Sequence, residues 1–339
     1  MSERPYVGGQ AVIEGVMMRG PRSLAIAVRR PGGEIVIKDS PWRSIWERYA
    51  FLRWPFFRGS IVLLETLING IQALSFSAEQ ASIENANEAT GDQGSPGLTG
   101  FAMYGTLAIA LAFAIGLFVV LPHLLTLSIG WMSGIELDVN SIWFHIIDGG
   151  IKAIIFLVYV FSIGLLPDIR RVLMYHGAEH KTIYTYENHE ELVVENARRH
   201  STRHPRCGTA FLLIVIFISI IVFALAFVWL PPLTGNRVAD TVIVILIKLP
   251  LLFPVGGIAY EYQRFVAKRM GSTWVKALAW PGLAMQGLTT REPTDDQLEV
   301  AIASMKQALW REAAGPEAKA PVGSDELIHV RDYMSVGAE

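Results

Sequence analysis

Met174–Thr209 reads MYHGAEHKTIYTYENHEELVVENARRHSTRHPRCGT and holds five of the eight histidines in the 339-residue chain (His176, His180, His189, His200, His204), together with Glu179, Glu187 and the only cysteine, Cys207. These are metal-ligand atom types. Apolar runs of membrane length flank the stretch on both sides, so its chemistry is expected beside a bilayer. Hydrophobic residues make up 52% of the chain and charged ones 18%. A soluble protein carries charge on about a quarter of its residues, so the composition reads as a polytopic membrane protein. The formal net charge of -2 offers no basic footprint for nucleic acid. One cysteine cannot form an internal disulfide and suits a reducing compartment. No cleavable signal peptide is legible in the first 22 residues.

Four stretches are expected to span: Phe101–Leu121, about Ile146–Leu166, Ala210–Leu230 and Thr241–Ala259. The connection between the first two contains Glu136, Asp138 and Asp148, with no Lys or Arg before Lys152, and the connection between the last two carries only Arg237. By contrast, 167–209 contains Arg170, Arg171, Lys181, Arg198, Arg199, Arg203 and Arg206, and Arg264, Lys268 and Arg269 follow the last span. The positive-inside rule puts the histidine-rich loop and both termini in the cytoplasm, as an even span count requires. Lys248 lies within the fourth span with Pro250 and Pro254. That helix is expected to be kinked or broken, with Lys248 either snorkelling to the outer interface or serving function.

Tyr6–Pro21, YVGGQAVIEGVMMRGP, is punctuated by glycines, which favours strands and tight turns. It matches neither a phosphate-binding loop nor a dinucleotide fingerprint, and Glu14 and Arg19 read as solvated loop charges. In Ser23–Ser40 the alternation of Leu24, Ile26 and Val28, the Pro31-Gly32-Gly33 turn and the return through Ile35 and Ile37 predict a β-hairpin. Trp42–Phe57 mixes aromatics with arginines, the composition of a segment at a membrane surface. On 59–78 an apolar helix carries Glu65, Asn69 and Gln72 at helical spacing, which predicts an amphipathic or re-entrant helix, with a full span as the alternative. Residues 79–100 read as a linker. After the last span, 261–312 is a juxtamembrane segment leading to a helix that starts with a Thr294–Gln297 capping box and repeats Leu298, Ala301, Ile302, Met305, Ala308 and Leu309, a surface for docking or for a protein partner. The tail, 313–339, reads as disordered.

His176-Gly-Ala-Glu179-His180 matches H-x-x-E-H. On a helix, positions i and i+4 stack, so both imidazoles reach one ion while the glutamate stands beside them as a general base. This is the inverted zincin order. His204-Pro-Arg-Cys207 adds an imidazole and a thiolate at a proline-containing turn, which suits zinc or another divalent transition metal. The metal ligands are therefore expected among His176, His180, His204 and Cys207, with Glu179 catalytic and Glu187 and Lys248 as further candidates. Four ligands would make the site structural and three would leave it open for catalysis. His189 and His200 read as solvated.

The pieces GGQAVIEGVMMRGP, AVRRPGGEI, PFFRG with LLETLINGIQALSFSA, YHGAEHKTIYTYE, HPRCGT and LTTREPTDDQLEVAI lie between residues 6 and 302, and together they resemble the bacterial YqhQ-type membrane family of unknown function. The resemblance implies a membrane location and metal dependence, and supplies no reaction. The sequence thus leads to an α-helical polytopic membrane protein of about four spans with a small cytoplasmic α+β portion. Its segments are 1–58, the helix at 59–78, the linker at 79–100, span pairs at 101–166 and 210–260 around the site loop at 167–209, the cytoplasmic segment 261–312 and the tail. The leading functional expectation is a zinc-dependent hydrolase of the inner membrane, reaching a peptide or another amphiphile from the inner leaflet. A scaffold with a structural metal site is the alternative, and a small transporter a weaker one.

Overall fold

The computed structural model describes residues 4–337 except 48, 56, 90–99, 136, 138–140, 230–233, 235, 316–317 and 319–326. The chain is mostly helical, with one small antiparallel sheet in the order β1-β2-β3-β4-β5, formed by Gly8–Val12, Gly15–Arg19, Ser23–Arg29, Ile35–Pro41 and Leu327–Val330. The expected hairpin is β3–β4, with Val28 opposite Val36 and Gly33 at φ 85 in its turn. The glycine-rich segment forms β1 and β2, where close approach is needed: a Cβ on Gly15 would lie 2.2 Å from the Ala27 carbonyl oxygen.

The helices are α1 (Phe57–Ala89), α2 (Gly100–Ile115), α3 (Leu121–Ser133), α4 (Ile142–Ile163), α5 (Pro167–Glu187), α6 (Val194–Arg198), α7 (Gly208–Phe227), α8 (Arg237–Lys268), α9 (Thr273–Thr289) and α10 (Asp295–Ala314). A π-helical turn joins α2 to α3. Both faces of the sheet are covered. Val16, Met18, Ala25, Ala27, Ile35 and Ile37 pack against α5 and α10, while Val12, Met17, Leu24, Ile26, Val28 and Val36 meet Ala73 and Phe76 of α1. Alternate residues of β3 therefore serve different helices, and the small Ala25 and Ala27 admit α10 closely enough for Ser304 Oγ to donate to the Ala25 carbonyl. The capping box at Thr294–Gln297 forms. Twelve of the twenty residues of α10 are buried within the chain, and its exposed positions lie at its two ends.

Among the described residues, five helices are long and apolar enough to cross a membrane: Phe57–Ile83, Ala108–Ser133, Ile142–Ile163, Gly208–Phe227 and Val238–Lys268. Several expected boundaries change. The linker is helical as far as Ala89, because no glycine or proline interrupts 79–89, and the rest of it, 90–99, lies outside the described residues. The first expected span shifts toward the C-terminus. Glu136 and Asp138 lie outside the described residues, and Asp148 belongs to α4, where it is buried, and not to the connection before it. The helix α8 runs unbroken through Pro250 and Pro254. The tail is not wholly irregular: β5 pairs with β4, Ile37 opposite Ile328, and Ile328 and Val336 enter the core.

The α1 helix first crosses α8, where Arg58 pairs with Glu261 and Gly59 rests on Tyr260, and then runs over the sheet to Gln80, which accepts from Arg30. Of its polar stripe, Glu65 is buried and accepts from Ser44 Oγ and the Ile45 N–H at 2.7 Å each, Asn69 is buried, and Gln72 is exposed.

Candidate metal centre

His176 and His180 stand one turn apart on α5 with ring centroids 4.5 Å apart. Cys207 is the N-cap of α7, its Sγ accepting from the Thr209 N–H at 3.4 Å and lying 3.0 Å from Thr209 Oγ1. One ligand atom from each of His176, His180 and Cys207 fits within 4.8 Å of the others, and all three residues are buried. The imidazoles are held from behind. His176 Nδ1 lies 2.7 Å from the Thr289 carbonyl oxygen and His180 Nδ1 lies 2.5 Å from that of Thr202. A carbonyl only accepts, so each Nδ1 donates to its carbonyl and each Nε2 is left for the common space. His176 Nε2 points at Cys207 Sγ from 3.1 Å, and His180 Nε2 is buried with no hydrogen-bond partner among the described residues. Backbone carbonyls that fix the remote ring nitrogen are the usual support of metal-binding histidines.

The electrostatics fit the same donor set. Burial alone would raise the Cys207 thiol, but His176 and His180 beside it hold it well below the ordinary thiol range. Burial lowers His176, and the charge and hydrogen bond of Cys207 outweigh it, pushing the ring up to about 9. The pair is a thiolate facing an imidazolium, in which one proton occupies the space between N and S that a cation would take. An orphaned buried nitrogen, a neighbouring nitrogen and a thiolate form a borderline-soft set suited to zinc.

Glu179 is buried on the same helix. Burial pushes its carboxyl up, opposed by His176 and His180. Its space is made by the glycine-rich strand, since a Cβ on Gly9 would lie 2.7 Å from Glu179 Cγ. His204 stands apart from the three gathered ligands. Its ring is 5.7 Å from that of His180, its Nδ1 is 3.4 Å from the Arg206 N–H and its Nε2 is 3.3 Å from Glu187 Oε2, while burial lowers its pKa to about 4. Glu187 is taken up by Arg206 and His204. His189 is exposed at φ 62, and His200 pairs with Glu190 at 2.9 Å and stacks on Tyr184, so it is not simply solvated. Glu14 likewise engages Arg171 and Tyr175, and Arg19 lies over the Trp42 ring.

Sequence reasoning missed the supports. Gln286 accepts from the His204 N–H at 2.7 Å and donates to its carbonyl at 2.8 Å, and Gln263 donates to the Cys207 carbonyl at 2.7 Å. The only legible signal was at Gln286, a polar side chain interrupting the apolar run Pro281–Leu288, whereas Gln263 sits in a charged segment and gave none. Lys248 lies elsewhere. It does not snorkel but is buried in the bundle, 3.1 Å from Asp148 Oδ2 and 3.2 Å from His123 Nδ1, with Lys152 on the same carboxylate oxygen at 3.7 Å. His145 is buried nearby, one turn from Asp148, and stacks on Phe227.

Residues 54–311 match a family described as a protein of unknown function, DUF1385. The chain is also 33% identical over 327 residues to the uncharacterized protein YqhQ of Bacillus subtilis (strain 168), covering 94% of this chain and 96% of that protein. No solved structure matches. The chain belongs to the DUF1385 family.

Proposed function

We propose that this chain, a member of the DUF1385 family, is a multi-pass inner-membrane protein that binds zinc or a similar divalent metal and hydrolyses an amphiphile at the cytoplasmic face. The observation that carries the reading is the convergence of His176 Nε2, His180 Nε2 and Cys207 Sγ, with both histidines held from behind by carbonyls. Three gathered ligands correspond to the open, catalytic form of a zinc site rather than the closed, structural one. A zinc ion bound there supplies Lewis acidity and a bound water with a pKa of about 7. The chain's own residues do the rest. Glu179, on the same helix, takes or returns the proton at its carboxylate, and Gly9 leaves that carboxylate its space.

The sheet supports a four-span topology. It contains strands from both ends of the chain, and α5 packs on it too. The crossings between β4 and α5, and between α5 and α10, must therefore each be even in number. Two apolar helices, α7 and α8, separate α5 from α10, but three candidates precede α5. The one to discount is α1, whose Ala73 and Phe76 lie on the sheet. Four crossings remain on this reading, and the arginine-rich 167–209 segment supports a cytoplasmic site and cytoplasmic termini.

A structural role for the metal is the second reading, favoured by the way the cluster ties α5 to the N-cap of α7 and to Thr289 of α9. Elemental analysis of the purified chain beside His180→Ala and Glu179→Gln tests for the metal that both readings require. About one metal ion per chain, lost in His180→Ala and kept in Glu179→Gln, is the expected result. Absence of metal in all three, purified without chelators, overturns the reading.

A further inference from the structure

A cavity of about 220 Å³ opens between α7, α8 and α9 directly beside the site. Its polar end is formed by Pro205, Gln263 and Gln286, so its wall is the same pair of amides that holds His204 and Cys207. From there it follows one apolar stripe of α7 through Ala210, Phe217 and Ile221. Away from that end the lining is almost wholly apolar, through Leu213, Ile214, Ile218, Val266 and Leu283.

Its length decides the occupant. Eleven residues of helix separate Ala210 from Ile221, about 17 Å at the helical rise. Half of a hydrocarbon core about 30 Å thick is about 15 Å. The groove thus begins where α7 begins and ends about one leaflet deep, which matches a phospholipid acyl chain and is short for a polyprenyl carrier. On its outer wall α9 exposes Trp274 and Trp280, aromatics of the kind that sit at headgroup level.

We propose that this groove receives one acyl chain of a glycerophospholipid from the adjoining leaflet, and so presents the polar end of that lipid to the His176/His180/Cys207 cluster. That the chain belongs to the substrate rests on reading the cluster as a hydrolytic metal centre; that a chain binds does not.

The test reconstitutes the full chain in phosphatidylethanolamine and phosphatidylglycerol vesicles containing a phosphatidylethanolamine with a photoactivatable group in mid-chain, and maps adducts by peptide mass spectrometry. Adducts on the groove stripe should exceed those on the exposed outer face of α4 (Leu157, Val158, Phe161) by roughly tenfold, and should fall by a similar factor in Ile214→Trp and in Leu278→Trp, which fill the groove. Regional mapping in wild type needs no variant, so a misfolded variant does not remove the test. Even labelling of groove and α4, labelling that neither tryptophan reduces, or displacement of the phospholipid probe by an equally labelled polyprenyl phosphate each overturns the proposal. The same mapping combined with metal analysis of the wild type separates the two readings. Groove adducts on a wild type that carries no metal leave the chain site standing and remove the hydrolase, whereas metal without groove adducts removes the chain site alone.

Discussion

Replacing Gln286 by leucine tests whether the ligand loop is held in place by the hydrogen bonds its neighbours make to it. The side chain is fully buried, and leucine is close to it in size, so the substitution removes hydrogen bonds with little cavity. Two bonds go at once, at 2.7 and 2.8 Å, and they leave the N–H of buried His204 without a partner and its C=O with only the Cys207 N–H, at 3.3 Å. The orphaned N–H costs about 1–3 kcal/mol and the bond lost at the C=O about 0.5–1.5 kcal/mol, so the two together cost about 1.5–4.5 kcal/mol. Partial relaxation of the 201–207 turn favours the lower half of that range, about 2 kcal/mol.

Gln263→Leu supplies the internal scale, since it removes a single bond, to the Cys207 carbonyl, and should cost about half as much. Thermal unfolding of the detergent-purified proteins measures both, and competition with a chelator measures the metal. Because Gln286 orients the loop without being a ligand, metal should still bind, with affinity weakened about 10–100-fold. A Gln286→Leu protein that melts with wild type and yields its metal no faster would refute the reasoning, for it would show that the turn is held elsewhere.

Three further perturbations follow. Arg311→Met leaves the buried Asp39 with only Gln307 as a side-chain donor, and should cost about 3–5 kcal/mol in thermal unfolding, much of it recovered by adding Asp39→Asn. Lys248→Met leaves Asp148 to Lys152 alone, at 3.7 Å, and should destabilise the bundle by about 3 kcal/mol, again relieved by Asp148→Asn; if Lys248 instead reached the interface, the change would be nearly neutral. Gly9→Ala puts a methyl 2.7 Å from Glu179 Cγ and should displace the carboxylate while sparing the ligands, so its metal content should equal that of wild type and any hydrolytic turnover should fall as it does in Glu179→Gln.

How far the sequence spoke depended on whether a signal was local. Leu24, Ile26 and Val28 alternate because a strand has period two, and His176 and His180 stack because a helix has period 3.6, so the hairpin and the paired imidazoles were legible from spacing alone. Everything closing the site comes from far along the chain. Thr289, which fixes His176, and Gln286, which holds His204, lie 113 and 82 residues from the groups they bind, and no short-range pattern relates them. The same holds for Asp148 beside Lys248, 100 residues apart, where a charge that read as part of a loop is the partner of one that read as snorkelling. Treating each charge separately produced two bland readings, whereas burial of both in an apolar bundle requires that they be considered together. Sharing of groups also explains why four expected ligands became three. His204 has Pro205 and Arg206 between it and Cys207, and its two ring nitrogens turn to the Arg206 N–H and to Glu187. With that imidazole engaged elsewhere, the proposed metal would keep one position for water or substrate, on the side where Gln286 lines the cavity.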